Sequence, residues 1–229
     1  MNMKININNV NNTTFSSRNL EIRKADDIMR NMLNKYPSQS TTKLCTYSVI
    51  KNPQLNLDSL FNAKTFSKML QIRAMRSNVP ESGLLNRVIE DVKKYKIANC
   101  GELALLAKGA FLANGYKDLQ LVNLGVKSNS FYDGTFEERY ETLDHSLLLV
   151  NAGDSDIRTP KNMNKQAIIV DPWSGMVDYV HSGLKEYERI LGNCIRGKGK
   201  KYFIFSKSEI DTSTDTCQKL KKEHPEFIV

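Results

Sequence analysis

Cys100 opens the run Cys-Gly-Glu-Leu-Ala-Leu-Leu-Ala, which reads as the start of a buried helix. A thiol placed there faces unpaired backbone N–H groups and the positive end of the helix dipole. Such a setting favours thiolate, the form of cysteine that attacks a carbonyl carbon. A nucleophile also needs a base, and the chain has three histidines: His145, His181 and His224. His145 stands at the head of His-Ser-Leu-Leu-Leu-Val, a strand-like run. Asp171 ends the next such run, Ala167-Ile-Ile-Val-Asp-Pro-Trp173. Pairing of two adjacent antiparallel strands would set Asp171 beside His145, where a carboxylate orients the ring and supports its protonated form. Singly, each residue has a plainer reading: a small buried thiol, a structural imidazole, a turn aspartate before proline. Taken in order, helix-borne Cys and two strand-borne partners, they make a Cys–His–Asp triad of Cys100, His145 and Asp171 the expectation.

Other candidates carry less. Asn99 suits the cap of the nucleophile helix and is a candidate second donor to an oxyanion, beside the backbone N–H of Cys100. Trp173 is a candidate wall of the cleft, although a single Trp beside a turn also suits core packing. His181 has no acidic strand end at a useful interval, and His224 falls in a polar tail expected to be exposed. Cys45, Cys194 and Cys217 read as structural or incidental. The glycine-bearing stretch 192–199 lacks the Lys-Ser/Thr ending of a phosphate loop and reads as a hairpin-like connection.

The elements that must position the triad follow from periodicity. Residues 1–19 are rich in Asn, Thr and Ser and read as a disordered polar leader. Apolar residues at helical spacing predict helices over 20–36, 57–75 and 84–94, then the buried helix from Cys100, closed by Asn114-Gly115. Past that point the pattern shortens to strand-length runs over 119–126, 144–151, 166–171 and 201–206, with 184–191 as the one stretch suited to a further helix. The expected fold class is α+β, with the nucleophile helix packed on a mostly antiparallel sheet. A single catalytic domain over 20–229 is expected, divided into a helical part (20–115), a sheet part (116–210) and a tail (211–229).

The chain has 229 residues, 40% hydrophobic, enough for one core without disulfide or metal staples. The four cysteines are widely spaced, so neither a zinc site nor a disulfide framework is expected, and no cofactor or metal is implied. No run approaches the length of a transmembrane helix, and no secretory signal core is evident, which makes a reducing cytosol the default site of synthesis. A formal charge of +8, with 33 Lys and Arg against 25 Asp and Glu, does not choose among an acidic protein, a membrane surface and nucleic acid, and a solvated basic surface is the favoured reading, with peripheral membrane contact left open. Basic and aromatic residues do not interleave as a nucleic-acid platform would require, so nucleic acid is not expected as a partner.

The segments Asn99-Cys100-Gly101-Glu102-Leu103-Ala104, Asp144-His145-Ser146 and Val170-Asp171-Pro172-Trp173 together resemble the papain-like and transglutaminase-like thiol hydrolases. The likeness covers about 99–206 and is strongest to compact bacterial effectors, the cysteine proteases and glutamine deamidases delivered into host cells. The resemblance implies a papain-like fold, an amide bond of a host protein as substrate, and export through a specialised secretion system, a route that the polar leader also suits. Papain-like proteases often carry a Gln shortly before the nucleophile; here Lys93-Lys-Tyr-Lys-Ile-Ala98 holds none. That departure keeps deamidation beside proteolysis. Two alternatives stand: a transglutaminase-type acyl transferase, and an inert basic binding module on the same fold.

Overall fold

In the computed structural model, residues 12–40, 63–76, 80–132, 135–154, 156–191, 200–208 and 216–229 are described. Four helices come first: α1 (Asn12–Lys35), α2 (Ala63–Arg76), α3 (Glu81–Tyr95) and α4 (Cys100–Ala113). Strands β1 (Leu119–Tyr132), β2 (Thr135–Val150), β3 (Ile168–Asp171) and β4 (Met176–Tyr179) follow, then α5 (Val180–Leu191), β5 (Lys200–Lys207) and α6 (Cys217–Glu223). The five strands form one antiparallel sheet in the order β4-β3-β2-β1-β5. The fold class is α+β.

Period-two alternation assigns the two faces of the sheet. Leu148 and Val150 of β2, with Ile168 and Val170 of β3, join a core made with α1, α3 and α4. Leu147, Leu149 and Ile169 turn the other way and join Val180 and Tyr187 of α5. Helix α4 has ten buried residues among its fourteen, because the sheet, α1, α3 and α6 surround it. That is why the sequence there is apolar on nearly every side: the helix carrying Cys100 is the central one.

Several boundaries move. The polar leader was expected to run through 19, but 12–19 continue α1 as helix, while 1–11 lie outside the described residues. Extending an existing helix adds a hydrogen bond per residue without a new nucleus, so the amphipathic stretch beyond 20 carries its polar start along. Strands β1 and β2 pair from Leu119↔Val150 out to Tyr132↔Thr135, well beyond the apolar runs that announced them. Of the helix expected over 57–75, the described part is α2; the connection 192–199 lies outside the described residues. Among the described residues no helix is long and apolar enough to cross a membrane.

The tail needs the largest correction. Instead of a polar appendage, it forms α6 and a short 3-10 turn, Pro225–Phe227, that buries Leu220 and Phe227 completely. Phe227 packs its ring against Tyr36 at 5.3 Å, and its carbonyl accepts from Asn114 Nδ2 at 2.7 Å. Glu226 bridges Tyr36 Oη at 2.6 Å and Lys93 Nζ at 2.8 Å. The alternation of charge and single apolar residues in a short helix hid this role. Phe227→Ala is expected to lower stability by about 3–5 kcal/mol, the range for emptying a buried aromatic site. Urea denaturation followed by circular dichroism checks it.

Candidate active site

Three elements converge where α4 begins, β2 bends and β3 ends. Asn99 caps α4 from an extended backbone, and its N–H donates to Glu102 Oε2 at 3.0 Å in a capping box. Glu102 is itself buried and is held from outside the helix. Arg73 Nε and Arg76 Nη1, both from α2, donate to Oε1 at 3.1 Å each. Burial alone would raise the Glu102 carboxyl, but the Arg73 and Arg76 charges and the Asn99 N–H hold it below the usual range. Arg76 also pairs with the buried Asp91 of α3 at 3.1 Å, and Arg87 with Asp91 at 3.2 Å. The first turn of α4 is thereby tied to two neighbouring helices.

His145 lies beside a break in the β1–β2 ladder. Between the pairs Asn123↔Ser146 and Gly125↔Thr142, β1 advances two residues while β2 advances four. The extra residues make a bulge just before His145 in β2. On the other side, the β2–β3 register runs through Leu148↔Val170. One further step sets Asp171 opposite Leu147, with His145 a diagonal step away.

The contacts follow. His145 Nε2 lies 2.8 Å from Asp171 Oδ2, with the imidazole 11% exposed and the carboxylate fully buried. The half-buried Cys100 thiol hydrogen-bonds the same ring. With Nε2 on the carboxylate, the nitrogen left for sulfur is Nδ1. Burial alone would depress the His145 pKa, but the charge and hydrogen bond of Asp171, reinforced by Cys100, push it up to about 10. The structure therefore brings Cys100, His145 and Asp171 together, with the ring protonated across the neutral range.

Asp171 is more heavily engaged than a triad requires. Its Oδ2 also accepts from Ser174 Oγ and Tyr187 Oη, each at 2.6 Å, and Oδ1 accepts from the N–H groups of Trp173 and Ser174 at 3.1 and 3.2 Å. Five donors meet a group with about four lone-pair sites, so its capacity is filled. Burial would raise the Asp171 carboxyl, yet His145, Ser174 and Tyr187 hold it below the usual range. The β3–β4 turn supplies part of this cage and closes at Gly175, whose φ of +78° an L side chain rarely adopts.

Trp173 lies against the His145 ring, centroids 4.9 Å apart. Its indole N–H donates to Ser40 Oγ at 3.1 Å, and that hydroxyl donates to Asn99 Oδ1 at 2.9 Å. This relay ties the turn after Asp171 to the cap before Cys100. Asn99 thus serves as a helix cap whose carboxamide oxygen accepts from Ser40. The other histidines stand apart: His181 Nε2 is near the Lys161 carbonyl at 3.2 Å, and His224 Nε2 meets Asn86 Oδ1 at 3.0 Å. His224 is largely covered, at 12% exposure, rather than free in solvent. Cys217 Sγ approaches the Ala113 carbonyl at the far end of α4, and Cys45 and Cys194 lie outside the described residues.

Sequence reasoning missed Tyr187, Ser174, Ser40 and the two arginines. Ser174 had a signal, since Asp-Pro-Trp-Ser-Gly is turn chemistry in which Asp bonds the backbone two residues on. Tyr187 had none: it reads as one apolar position of an amphipathic helix. Tyr187→Phe keeps the ring and removes one donor from a charged acceptor, so a loss of about 1.5–3 kcal/mol at neutral pH is expected. Because the folded-state Asp171 pKa is depressed, its contribution exists above the unfolded value of about 4 and fades as the pH falls through the folded one. The gap between wild type and variant should shrink accordingly in urea denaturation at pH 3 against pH 7.

The chain matches no protein-family model, no curated protein and no solved structure.

Proposed function

We propose that the protein is a papain-like thiol hydrolase that cleaves an amide of a protein substrate through an acyl-enzyme. The observation that carries this reading is the His145 imidazole, hydrogen-bonded to Asp171 on one side and to Cys100 on the other. Cys100 sulfur, as thiolate, forms a bond to the amide carbon while the carbonyl electron pair moves to oxygen. First-turn N–H groups of α4, which have no intrahelical acceptor, face the developing charge. Protonated His145 gives its proton to the leaving nitrogen as the C–N bond breaks, leaving a thioester and a neutral imidazole. Water then attacks the thioester, His145 takes its proton, and a carboxylic acid departs with the thiolate–imidazolium pair restored. Asp171, with its lone pairs filled, acts as a fixed counter-charge to the ring and not as a proton acceptor.

A backbone amide makes this a protease; a Gln side chain makes it a deamidase; an amine in place of water makes it a transglutaminase. The resemblance of the motif segments to secreted bacterial effectors supports a host protein as the target, and the basic surface suits an acidic one. The test is intact-mass analysis of host-cell proteins after incubation. A gain of about one dalton identifies deamidation and fragments identify proteolysis, and Cys100→Ala should give neither. Changes that persist with Cys100→Ala would overturn the proposal.

A further inference from the structure

Three side chains share one oxygen beside the imidazole. Asp171 Oδ2 accepts from Tyr187 Oη and Ser174 Oγ at 2.6 Å each, and from His145 Nε2 at 2.8 Å. A carboxylate oxygen offers about two lone-pair directions, so the His145 N–H meets an acceptor that two neutral hydroxyls hold at closer range. Both hydroxyls are committed to it. Tyr187 is 4% exposed, and burial together with the Asp171 charge keeps its phenol protonated, well above the usual range. Ser174 Oγ has a single hydrogen, and its other acceptor, the Asp171 carbonyl, lies farther off at 3.4 Å.

The main chain already holds the carboxylate in place. Oδ1 accepts from the N–H groups of Trp173 and Ser174 at 3.1 and 3.2 Å, and the Gly175 N–H closes the turn onto the Asp171 carbonyl at 2.9 Å. Ring packing does not need the phenol oxygen either: Tyr187 meets His145 edge-on, centroids 6.2 Å apart, and Phe203 at the same separation. What the two hydroxyls change is the charge that Oδ2 presents to the imidazolium. A buried carboxylate without other donors grips a neighbouring proton strongly, and each donor that stabilises its charged form weakens that grip.

We propose that Tyr187 and Ser174 are positioning residues for the thiol chemistry: by sharing Asp171 Oδ2 with His145, they loosen the hold of the carboxylate on the imidazolium, so that the ring can pass its Nδ1 proton to the leaving nitrogen. A general acid transfers its proton best when its affinity for that proton is not excessive at the working pH. This assignment rests on the thiol-hydrolase reading and adds two residues, from α5 and the β3–β4 turn, to its machinery.

The experiment uses the full chain labelled with 15N-histidine at pH 7. The Nε2 resonance of His145 is read through the non-exchanging ring C–H protons and identified by its loss in His145→Ala. Tyr187→Phe and Ser174→Ala should each move it downfield, as its hydrogen bond to Asp171 strengthens, and the double variant should move it further. A merely structural role would lower stability and leave the nitrogen where it is. An unmoved resonance, or an upfield shift as the pair loosens, would overturn the proposal. The second readout is the rate of the Cys100-dependent mass change in host-cell proteins, compared with the rate at which iodoacetamide alkylates Cys100. Alkylation expels iodide and needs no proton from His145, whereas amide cleavage does. Each variant should therefore slow the mass change at least about threefold more than it slows alkylation. Equal slowing of the two would overturn the proposal. A wild-type protein that produces no Cys100-dependent change would instead remove the thiol-hydrolase reading, while the resonance still decides whether Oδ2 is shared.

Discussion

Near pH 6, Cys100 is expected to be alkylated by iodoacetamide at least about a hundredfold faster than Cys217. An ordinary thiol with a pKa near 8.5 is under about 1% ionised at that pH, whereas a thiol at a helix N-terminus beside an imidazolium reacts as thiolate. The imidazolium is supplied by His145, whose pKa of about 10 keeps it charged throughout the neutral range. His145→Ala should therefore slow labelling strongly near pH 6 and much less near pH 9, where ionisation no longer needs a partner. Asp171→Asn should slow it less than His145→Ala, because Asp171 touches the ring and not the sulfur. Stability carries its own signature. A histidine whose folded pKa is raised contributes fully below its unfolded value of about 6.5 and loses that contribution as the pH climbs toward 10. The stability deficit of His145→Ala should accordingly be largest in mild acid and shrink between pH 7 and 10. Peptide mass spectrometry over time reads the first effect and urea denaturation the second. Similar rates for Cys100 and Cys217, unchanged by His145→Ala, would show that the geometry does not activate the thiol.

The parts of this site that were legible in the sequence are those set by local pattern. Continuous apolarity after Cys100 announced a central helix, because only a helix packed on several sides is apolar on several sides. Strand-length runs ending at Asp171 announced the neighbour of β2, because register in an antiparallel pair is arithmetic once the runs are placed. What stayed hidden depends on contacts between residues far apart in sequence. Tyr187 comes from a helix sixteen residues beyond Asp171, and no spacing rule connects them. The bulge beside His145 depends on how β1 pairs with β2 and leaves no mark in either run alone. Strand β4 is four residues long and half-buried throughout, too short for a periodic signal. The tail was misread because one buried Phe among charged residues looks, in sequence, like an exposed one.

The same non-local logic gives a large expected stability change at a residue that no motif marks. Arg76→Ala is expected to destabilise the protein by about 3–5 kcal/mol, the range for removing one partner of a buried ion pair. Arg76, Asp91 and Glu102 have side-chain exposures of 8%, 4% and 5%, so neither carboxylate regains water when the guanidinium goes. Arg73→Ala is the contrasting case. Its side chain is half exposed, solvent replaces much of what it gives Glu102, and a loss of about 0–1 kcal/mol is expected. The pH dependence separates charge from packing. Glu102 has a depressed folded pKa, so its paired form stabilises above the ordinary carboxylate range and loses that contribution as the pH falls through the folded value. The Arg76→Ala deficit should thus narrow in urea denaturation at pH 3 compared with pH 7, whereas a cavity left by lost methylenes would persist at both. Glu102 also fixes the Asn99 N–H at the start of α4, so Cys100 labelling should slow in Arg76→Ala even well below its unfolding midpoint. A variant as stable as wild type, with undiminished labelling, would show that the three-helix ion cluster neither holds the fold nor sets the nucleophile.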